Sequence, residues 1–143
     1  MTPARMAAIH AASFTNPRPW SEPEFAAFLA TPGVFALSGR DGFLLGRTIL
    51  DEAELLTLAV EPAARRAGTG GRLTQAFADA ARGRGARRAF LEVAADNLAA
   101  QALYLANGWQ VAGRRKGYYR LAGHPPLDAV LMNLTLGPGQ ESG

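Results

Sequence analysis

Val60-Glu61-Pro62-Ala63-Ala64-Arg65-Arg66-Ala67-Gly68-Thr69-Gly70-Gly71-Arg72-Leu73 is the stretch from which the fold can be read. An apolar run, residues 55–60, stops at Glu61-Pro62, and a bend with two arginines and three glycines follows before a helical pattern begins. Glycines let a backbone approach a ligand closely, and the first turn of a helix leaves several N–H groups without intrahelical partners. With the positive end of the helix dipole they form an anion site suited to a pyrophosphate. Arg65 and Arg66 add two permanent charges. A glycine-rich turn of this kind also occurs as a plain connector. It is not a Walker loop, because no Gly-Lys-Ser/Thr follows the glycines. Nor is it a dinucleotide fingerprint, since Leu73 stands where the third glycine belongs. The bend points to a phosphorylated cofactor.

Length and composition set the bounds. A chain of 143 residues with 48% hydrophobic and 19% charged residues is one folded domain. The absence of cysteine removes disulfides, thiolate metal sites and any acyl-cysteine mechanism. No stretch approaches the ~20 apolar residues of a membrane span, and the N-terminus lacks a signal-peptide layout, so a cytoplasmic location without membrane partners is expected. The formal charge is +3, and Lys116 is the only lysine. The arginines are scattered over loops and element ends, which fits a solvated surface better than a nucleic-acid face. Arg65 and Arg66 are the exception.

Outward from the bend, hydrophobic periodicity and turn residues predict a regular series of elements. Residues 5–13 read as a helix with Met6, Ile9 and Phe14 at near-helical spacing. Ser21, with Glu24 three residues on, forms a capping box for a helix over 23–30. Strands are predicted over 33–38 and 42–50, joined by a hairpin at Gly39-Arg40-Asp41-Gly42, and over 55–60. A long helix over 70–82 turns Leu73, Phe77 and Ala80 inward. A strand over 88–94, a helix over 97–106 closed by Asn107-Gly108, and strands over 109–114 and 129–136 complete the series. The fold class is α/β, a mixed sheet with helices on both faces, spanning residues 1–137 before a disordered tail over 138–143.

Glu92 interrupts the apolar run Ala89-Phe90-Leu91-Glu92-Val93. A carboxylate in a central strand is costly unless it is paired or lines a cleft. It is therefore either a salt-bridge partner of a nearby arginine or a general base. In the helix that follows, Leu98, Ala102 and Leu105 share one stripe and are expected to face the core. Asn97, Gln101 and Tyr104 share the adjacent stripe and suggest a groove wall, unless Tyr104 merely packs with its hydroxyl at the surface. His10 and His124 fit no triad, and both are expected to have structural or solvent roles.

The segment Leu91-Glu92-Val93-x-x-x-Asn97-x-x-Ala100-x-x-Leu103-Tyr104-x-x-x-Gly108-Trp109, with Arg-x-x-Gly-x-Gly behind Val-x-Pro, resembles the signatures of the GNAT superfamily of N-acetyltransferases. Pro19-Trp20-Ser21-Glu22, Asp51-Glu52-Ala53-Glu54-Leu55-Leu56, Gly113-Arg114-Arg115-Lys116-Gly117-Tyr118-Tyr119 and Asp128-Ala129-Val130-Leu131-Met132 continue the likeness over residues 5–136. They bring it closest to the branch of ribosomal-protein-alanine N-acetyltransferases. That family's sheet begins with a strand ahead of the first helix. Here the chain starts almost at that helix, so a sheet without its first strand, or a misassigned start codon, is expected.

The resemblance implies acetyl-coenzyme A as co-substrate, no metal, and a protein N-terminus as acceptor, with the N-terminal alanine of a small-subunit ribosomal protein favoured. It implies Glu92 as general base through water and Tyr104 as the acid that protonates the departing thiolate. The backbone of Leu58 and Val60 would pair with the pantetheine arm. Arg65, Arg66, Ala67, Gly68, Gly70 and Gly71 would hold the pyrophosphate, and Asn97 the pantetheine or acetyl end. Trp20, Glu22, Tyr118 and Tyr119 would line the peptide site. Direct attack suits an α-amine, whose pKa of ~8 leaves a useful neutral fraction at pH 7, better than a lysine at ~10.4. Gly123-His124-Pro125-Pro126-Leu127-Asp128 lacks the acidic residue that usually precedes Asp128 in this branch, and that loop abuts the peptide site. A related enzyme for small amines, or a non-catalytic acyl-coenzyme A-binding module, stays open as an alternative reading.

Overall fold

In the computed structural model, which describes residues 1–13, 19–64, 68–120, 123 and 125–137, the elements follow the predicted order. They are α1 (Pro3–Ser13), α2 (Glu22–Leu29), β1 (Val34–Ser38), β2 (Gly42–Ile49), β3 (Glu52–Val60), α3 (Thr69–Gly83), β4 (Arg88–Ala94), α4 (Leu98–Ala106), β5 (Gln110–Tyr119) and β6 (Leu127–Thr135), with a 3-10 turn at Pro62–Ala64. Phe14, Arg65, Arg66, Ala67, His124 and the tail 138–143 lie outside the described residues.

A single mixed sheet orders the strands β1-β2-β3-β4-β6-β5, antiparallel throughout except where β3 runs parallel to β4 through the α3 crossover. Alternate residues of β2 point to opposite layers. Leu44 joins Leu55, Leu73, Phe77, Leu91, Val93, Tyr104 and Trp109 under α3 and α4. Phe43 and Leu45 join Met6, Ile9, Phe25 and Ala59 under α1 and α2. Helices therefore cover both faces, as the unbroken apolar run of β2 requires. The expected capping box holds α2: Ser21 N–H donates to Glu24 Oε1 at 2.9 Å, and Glu24 N–H donates to Ser21 Oγ at 3.4 Å. The hairpin closes where Gly39 N–H donates to the Gly42 carbonyl at 2.9 Å.

Two strands are longer than the periodicity suggests, and charge explains both. β3 begins at Glu52 because Ala53 and Leu55 are buried while the intervening acids pair across the sheet. Glu52 meets Arg88 at 3.4 Å and Glu54 meets Arg47 at 2.7 Å. β5 runs on to Tyr119 instead of ending at Arg114. Asp128 accepts from Arg114 Nε at 2.7 Å and from the Gly117 N–H at 2.8 Å, which ties the basic segment to β6. Those bonds, the guanidinium first, hold the Asp128 carboxyl below the usual carboxylate range. As an edge strand, β5 keeps its exposed arginines and lysine in water, where they discourage pairing with another chain.

The expected inward stripe of α4 is overturned. Leu98 is 70% exposed and Leu105 53% exposed, and Ala102 is exposed too, whereas Tyr104 is 6% exposed. Hydrogen bonds at the helix start rotate the polar stripe inward. Gln101 Nε2 donates to the carbonyls of Ala94 and Ala95, each at 3.1 Å, and Asn97 Oδ1 accepts from the Ala100 N–H at 3.1 Å. The Tyr104 ring then rests against Trp109 at a centroid distance of 5.9 Å.

His10 ties α1 to the sheet. Its Nδ1 accepts from the Trp20 N–H at 3.0 Å, so the neutral ring carries its proton on Nε2 and donates it to Thr57 Oγ1 at 3.0 Å. The ring stacks on Trp20 and meets Phe25 edge-on. Burial pushes the imidazole down to about 4, against the smaller upward pull of Glu24.

Leu105→Lys is expected to change stability by no more than ~0.5 kcal/mol, whereas Leu91→Ala is expected to cost ~2–5 kcal/mol, both read from urea unfolding. A stability loss in Leu105→Lys as large as that in Leu91→Ala would restore the expected orientation. The histidine generates a second test. Its folded value lies below the unfolded 6.5, so between those values the unfolded chain binds more protons. Stability should therefore fall as pH drops from 6.5 to about 4, and the fall should be shallower in His10→Gln over the same range.

Candidate active site

The parallel ladder between β3 and β4 is short. It pairs Glu52 with Arg88, Ala53 with Ala89 and Glu54 with Phe90, and beyond those positions the strands share no ladder pair. The cause sits in β3. Its register against β2 steps from Gly46↔Leu55 to Leu45↔Thr57, so Leu56 is an extra residue. Such a bulge bends its strand and increases the local twist. It also shifts the side-chain alternation: Ala53 and Leu55 face the α3 core, and Ala59 faces the α1–α2 core.

A cavity of about 170 Å³ fills the gap. It is lined by residues 55–58 of β3, residues 91–94 of β4, and by His10, Trp20, Asn97, Ala100, Tyr104 and Tyr119. Glu92 and Tyr104 thus reach one cavity from opposite sides of the sheet. Leu91 and Val93 belong to the core under α3 and α4, so Glu92 between them points toward the α1–α2 side, whereas Tyr104 rises from α4.

Glu92 has the arginine partner that a carboxylate in this strand calls for. Its Oε1 lies 3.7 Å from Arg115 Nη2, and it lines the cavity. The Arg115 guanidinium in turn sits over the Tyr118 ring at 5.1 Å. Tyr104 is buried, and that burial pushes its phenol well above the usual range. It therefore keeps its proton at working pH, which a proton donor requires. Burial first, then the nearby Glu92 charge and Tyr118, push the Tyr119 phenol up to about 12. Asn97 caps α4 through Oδ1, which leaves its Nδ2 for a ligand.

At the α3 end, Gly68 takes φ +84°, the left-handed region that glycine enters without strain, and provides no side-chain cap to the helix. The first-turn amides of α3 are thus presented as an anion site needs. An added Cβ at Gly71 would meet nothing within 4 Å, while one at Gly70 would press on Leu103 at 3.1 Å. Space is therefore tight at Gly70 alone of these two, where the end of the Leu103 side chain would have to give way. The sequence reading overlooked Arg72. Its Nη1 would lie 3.0 Å from a Cβ at Gly68, and its Nη2 donates to Thr69 Oγ1 at 3.4 Å, so a third arginine folds over the helix start.

Of the residues singled out in the sequence, Leu58, Glu92, Asn97, Tyr104, Trp20 and Tyr119 come together around the cavity. Val60, Gly68, Gly70, Gly71, Glu22 and Tyr118 are not part of its wall, and 65–67 fall outside the described residues. Glu22 opens α2 and is exposed; Tyr118 is 47% exposed. The cavity also takes in His10 and Thr57, whose roles periodicity alone does not show. Among the described residues there is no cluster of potential metal ligands, and no helix is long and apolar enough to cross a membrane.

Residues 5–109 match the family model described as the Acetyltransferase (GNAT) family. N-alpha-acetyltransferase RimI of Mycobacterium tuberculosis is 38% identical over 128 residues, covering 83% of this chain and 79% of that protein. The [ribosomal protein bS18]-alanine N-acetyltransferase of Escherichia coli is 34% identical over 134 residues, covering 91% and 90%. The crystal structure of the Escherichia coli ribosomal-protein-S18-alanine N-acetyltransferase superposes with a TM-score of 0.82 at 30% identity, covering 99% of this chain and 92% of that one. On its sheet, its parted strands and this similarity, the chain belongs to the GNAT acetyltransferase family.

Proposed function

We propose that the protein is an acetyl-coenzyme A-dependent protein Nα-acetyltransferase whose acceptor is the N-terminal alanine of ribosomal protein bS18. The observation that carries this reading is the cavity between β3 and β4, into which Glu92 and Tyr104 project from opposite sides. The similarity to enzymes named for alanine acetylation of that ribosomal protein, the Escherichia coli one among them, supports the choice of acceptor. Such an acceptor places the reaction in the cytoplasm, with no call for a membrane or nucleic-acid partner.

The residues present fit the co-substrate. The α3 start, with Gly68 left-handed and Arg72 folded over it, suits a pyrophosphate, and Arg65 to Gly71 would hold it. The backbone of Leu58 and Val60 on the parted stretch of β3 suits the amides of a pantetheine arm, an extended ligand added to a strand edge. Asn97 lines the same cavity as Leu58 and would hold the pantetheine or acetyl end. Bound there, acetyl-coenzyme A supplies an activated acyl group to the cavity.

The chain's own groups do the rest. Glu92, held by Arg115 on the α1–α2 side, accepts a proton from the attacking amine through water. Tyr104, on the opposite side, donates its proton to the departing thiolate. Trp20, Tyr119 and the more distant Glu22 and Tyr118 shape the approach of the peptide. An α-amine with a pKa near ~8 needs only modest help from such a base at neutral pH.

The test is thiol release with acetyl-coenzyme A and an alanine-initiated bS18 peptide, beside a lysine peptide and small amines. Turnover confined to the N-terminal peptide is expected. Tyr104→Phe and Glu92→Gln should each lower kcat by ~10²–10⁴-fold while cofactor binding by calorimetry persists. Turnover of small amines alone, or undiminished kcat in both variants, would contradict the proposal.

A further inference from the structure

The cavity wall also carries Thr57, a polar residue to which the proposed reaction gives no role. Thr57 is 8% exposed, lines the cavity, and stands at the first position past the Leu56 bulge. Without that extra residue, Thr57 would follow Ala53 and Leu55 toward α3; with it, the side chain turns to α1 and meets His10. This is the face toward which Glu92 points.

The proton positions follow from the bonding. The Trp20 N–H occupies His10 Nδ1, so Nε2 carries the proton and Thr57 Oγ1 accepts it. An accepting hydroxyl keeps its own proton for donation, and no described residue accepts it. The His10 ring is fixed by Trp20 and Phe25, so the hydroxyl has little freedom to choose another partner. The wall beside Glu92 therefore presents one oriented O–H donor.

We propose that Thr57, oriented by His10, donates this hydrogen bond to the carbonyl oxygen of the acceptor's first peptide unit. With one of its two lone pairs engaged by His10, the hydroxyl still has its proton to donate, and a carbonyl oxygen accepts it. A carbonyl a few bonds from the reacting amine distinguishes a peptide N-terminus from a lysine side chain or a simple amine. Reading that oxygen at a buried site yields selectivity because an acceptor lacking it leaves the hydroxyl unpaired. The inference rests on the Nα-acetyltransferase reading and adds to it the residue that selects the peptide.

The experiment is a cycle of two enzymes and two acceptors. Wild type and Thr57→Val are compared on the alanine-initiated peptide and on an analogue whose first peptide bond is replaced by an (E)-alkene. Wild type should favour the peptide by about tenfold in kcat/KM, carried by KM for the peptide. Thr57→Val should lose that preference, with kcat and the KM for acetyl-coenzyme A within about twofold of wild type. Thr57→Ser, which keeps the hydroxyl, should restore the preference and also serves if the valine variant fails to fold. An equal preference in wild type and Thr57→Val would overturn the inference, as would a rise in the acetyl-coenzyme A KM, which would put the hydroxyl on the thioester. Turnover of both peptides with no coupling leaves the Nα-acetyltransferase reading standing while this inference falls. Turnover of small amines alone removes both.

Discussion

The parting of two parallel strands is the constraint on which the rest of the structure depends. A parallel pair normally continues its ladder, because a buried backbone amide without a partner costs ~1–3 kcal/mol. Here β3 and β4 pair over three positions and then separate, at the bulge of one residue, Leu56. The remaining neighbours make this tolerable: β2 holds β3 along its other edge, and β6 holds β4 from Arg88 to Ala94. What results is a slot in the middle of a sheet, walled by backbone and open to both layers. A ligand that is extended and carries amides can complete the ladder there. The same bulge decides which side chains look into the slot, since it turns Thr57 toward α1 while Leu55 stays in the core under α3.

The slot explains why the chemistry-bearing residues occupy opposite layers. In the proposed reaction, an amine attacking from one face and a thiolate leaving toward the other would need a base and an acid on opposite sides of the sheet. Alternation along β4 puts Glu92 on the side away from Leu91 and Val93. The inward roll of α4 puts Tyr104 on the other. That roll leaves Leu98 and Leu105 in water, and the Gln101 hydrogen bonds to Ala94 and Ala95, with the Asn97 cap on the Ala100 N–H, compensate for it.

Much of the fold was legible because local signals agreed: a capping box at Ser21, glycine punctuation in the β1–β2 hairpin and after α4, and apolar runs for β2 and β4. Element order, sheet type and helices on both faces follow from these. The misreadings have physical causes. β3 and β5 are longer than composition suggests because cross-strand ion pairs hold Glu52 and Glu54, and the Gly117 bond to Asp128 holds the segment past Arg114, inside strands that composition marks as loops. The apolar stripe of α4 was read inward because periodicity ranks faces by hydrophobicity. It does not register the side-chain bonds of Asn97 and Gln101 that fix the helix. At the site, Glu92 was conspicuous as a carboxylate in an apolar strand, and its partner Arg115 was foreseen in kind. His10 and Thr57 gave no such signal, since their pairing spans 47 positions and depends on a bulge that leaves no mark in the sequence.

The most direct measurement is amide hydrogen exchange of residues 56–59, 92–93 and 69–71 with and without acetyl-coenzyme A. If the parted strands and the glycine turn form the cofactor's seat, saturating cofactor should slow exchange at β3 past the bulge and at the start of α3. The β1–β2 hairpin should stay unchanged. Cofactor binding established by calorimetry, with no added protection in those stretches, would contradict the account.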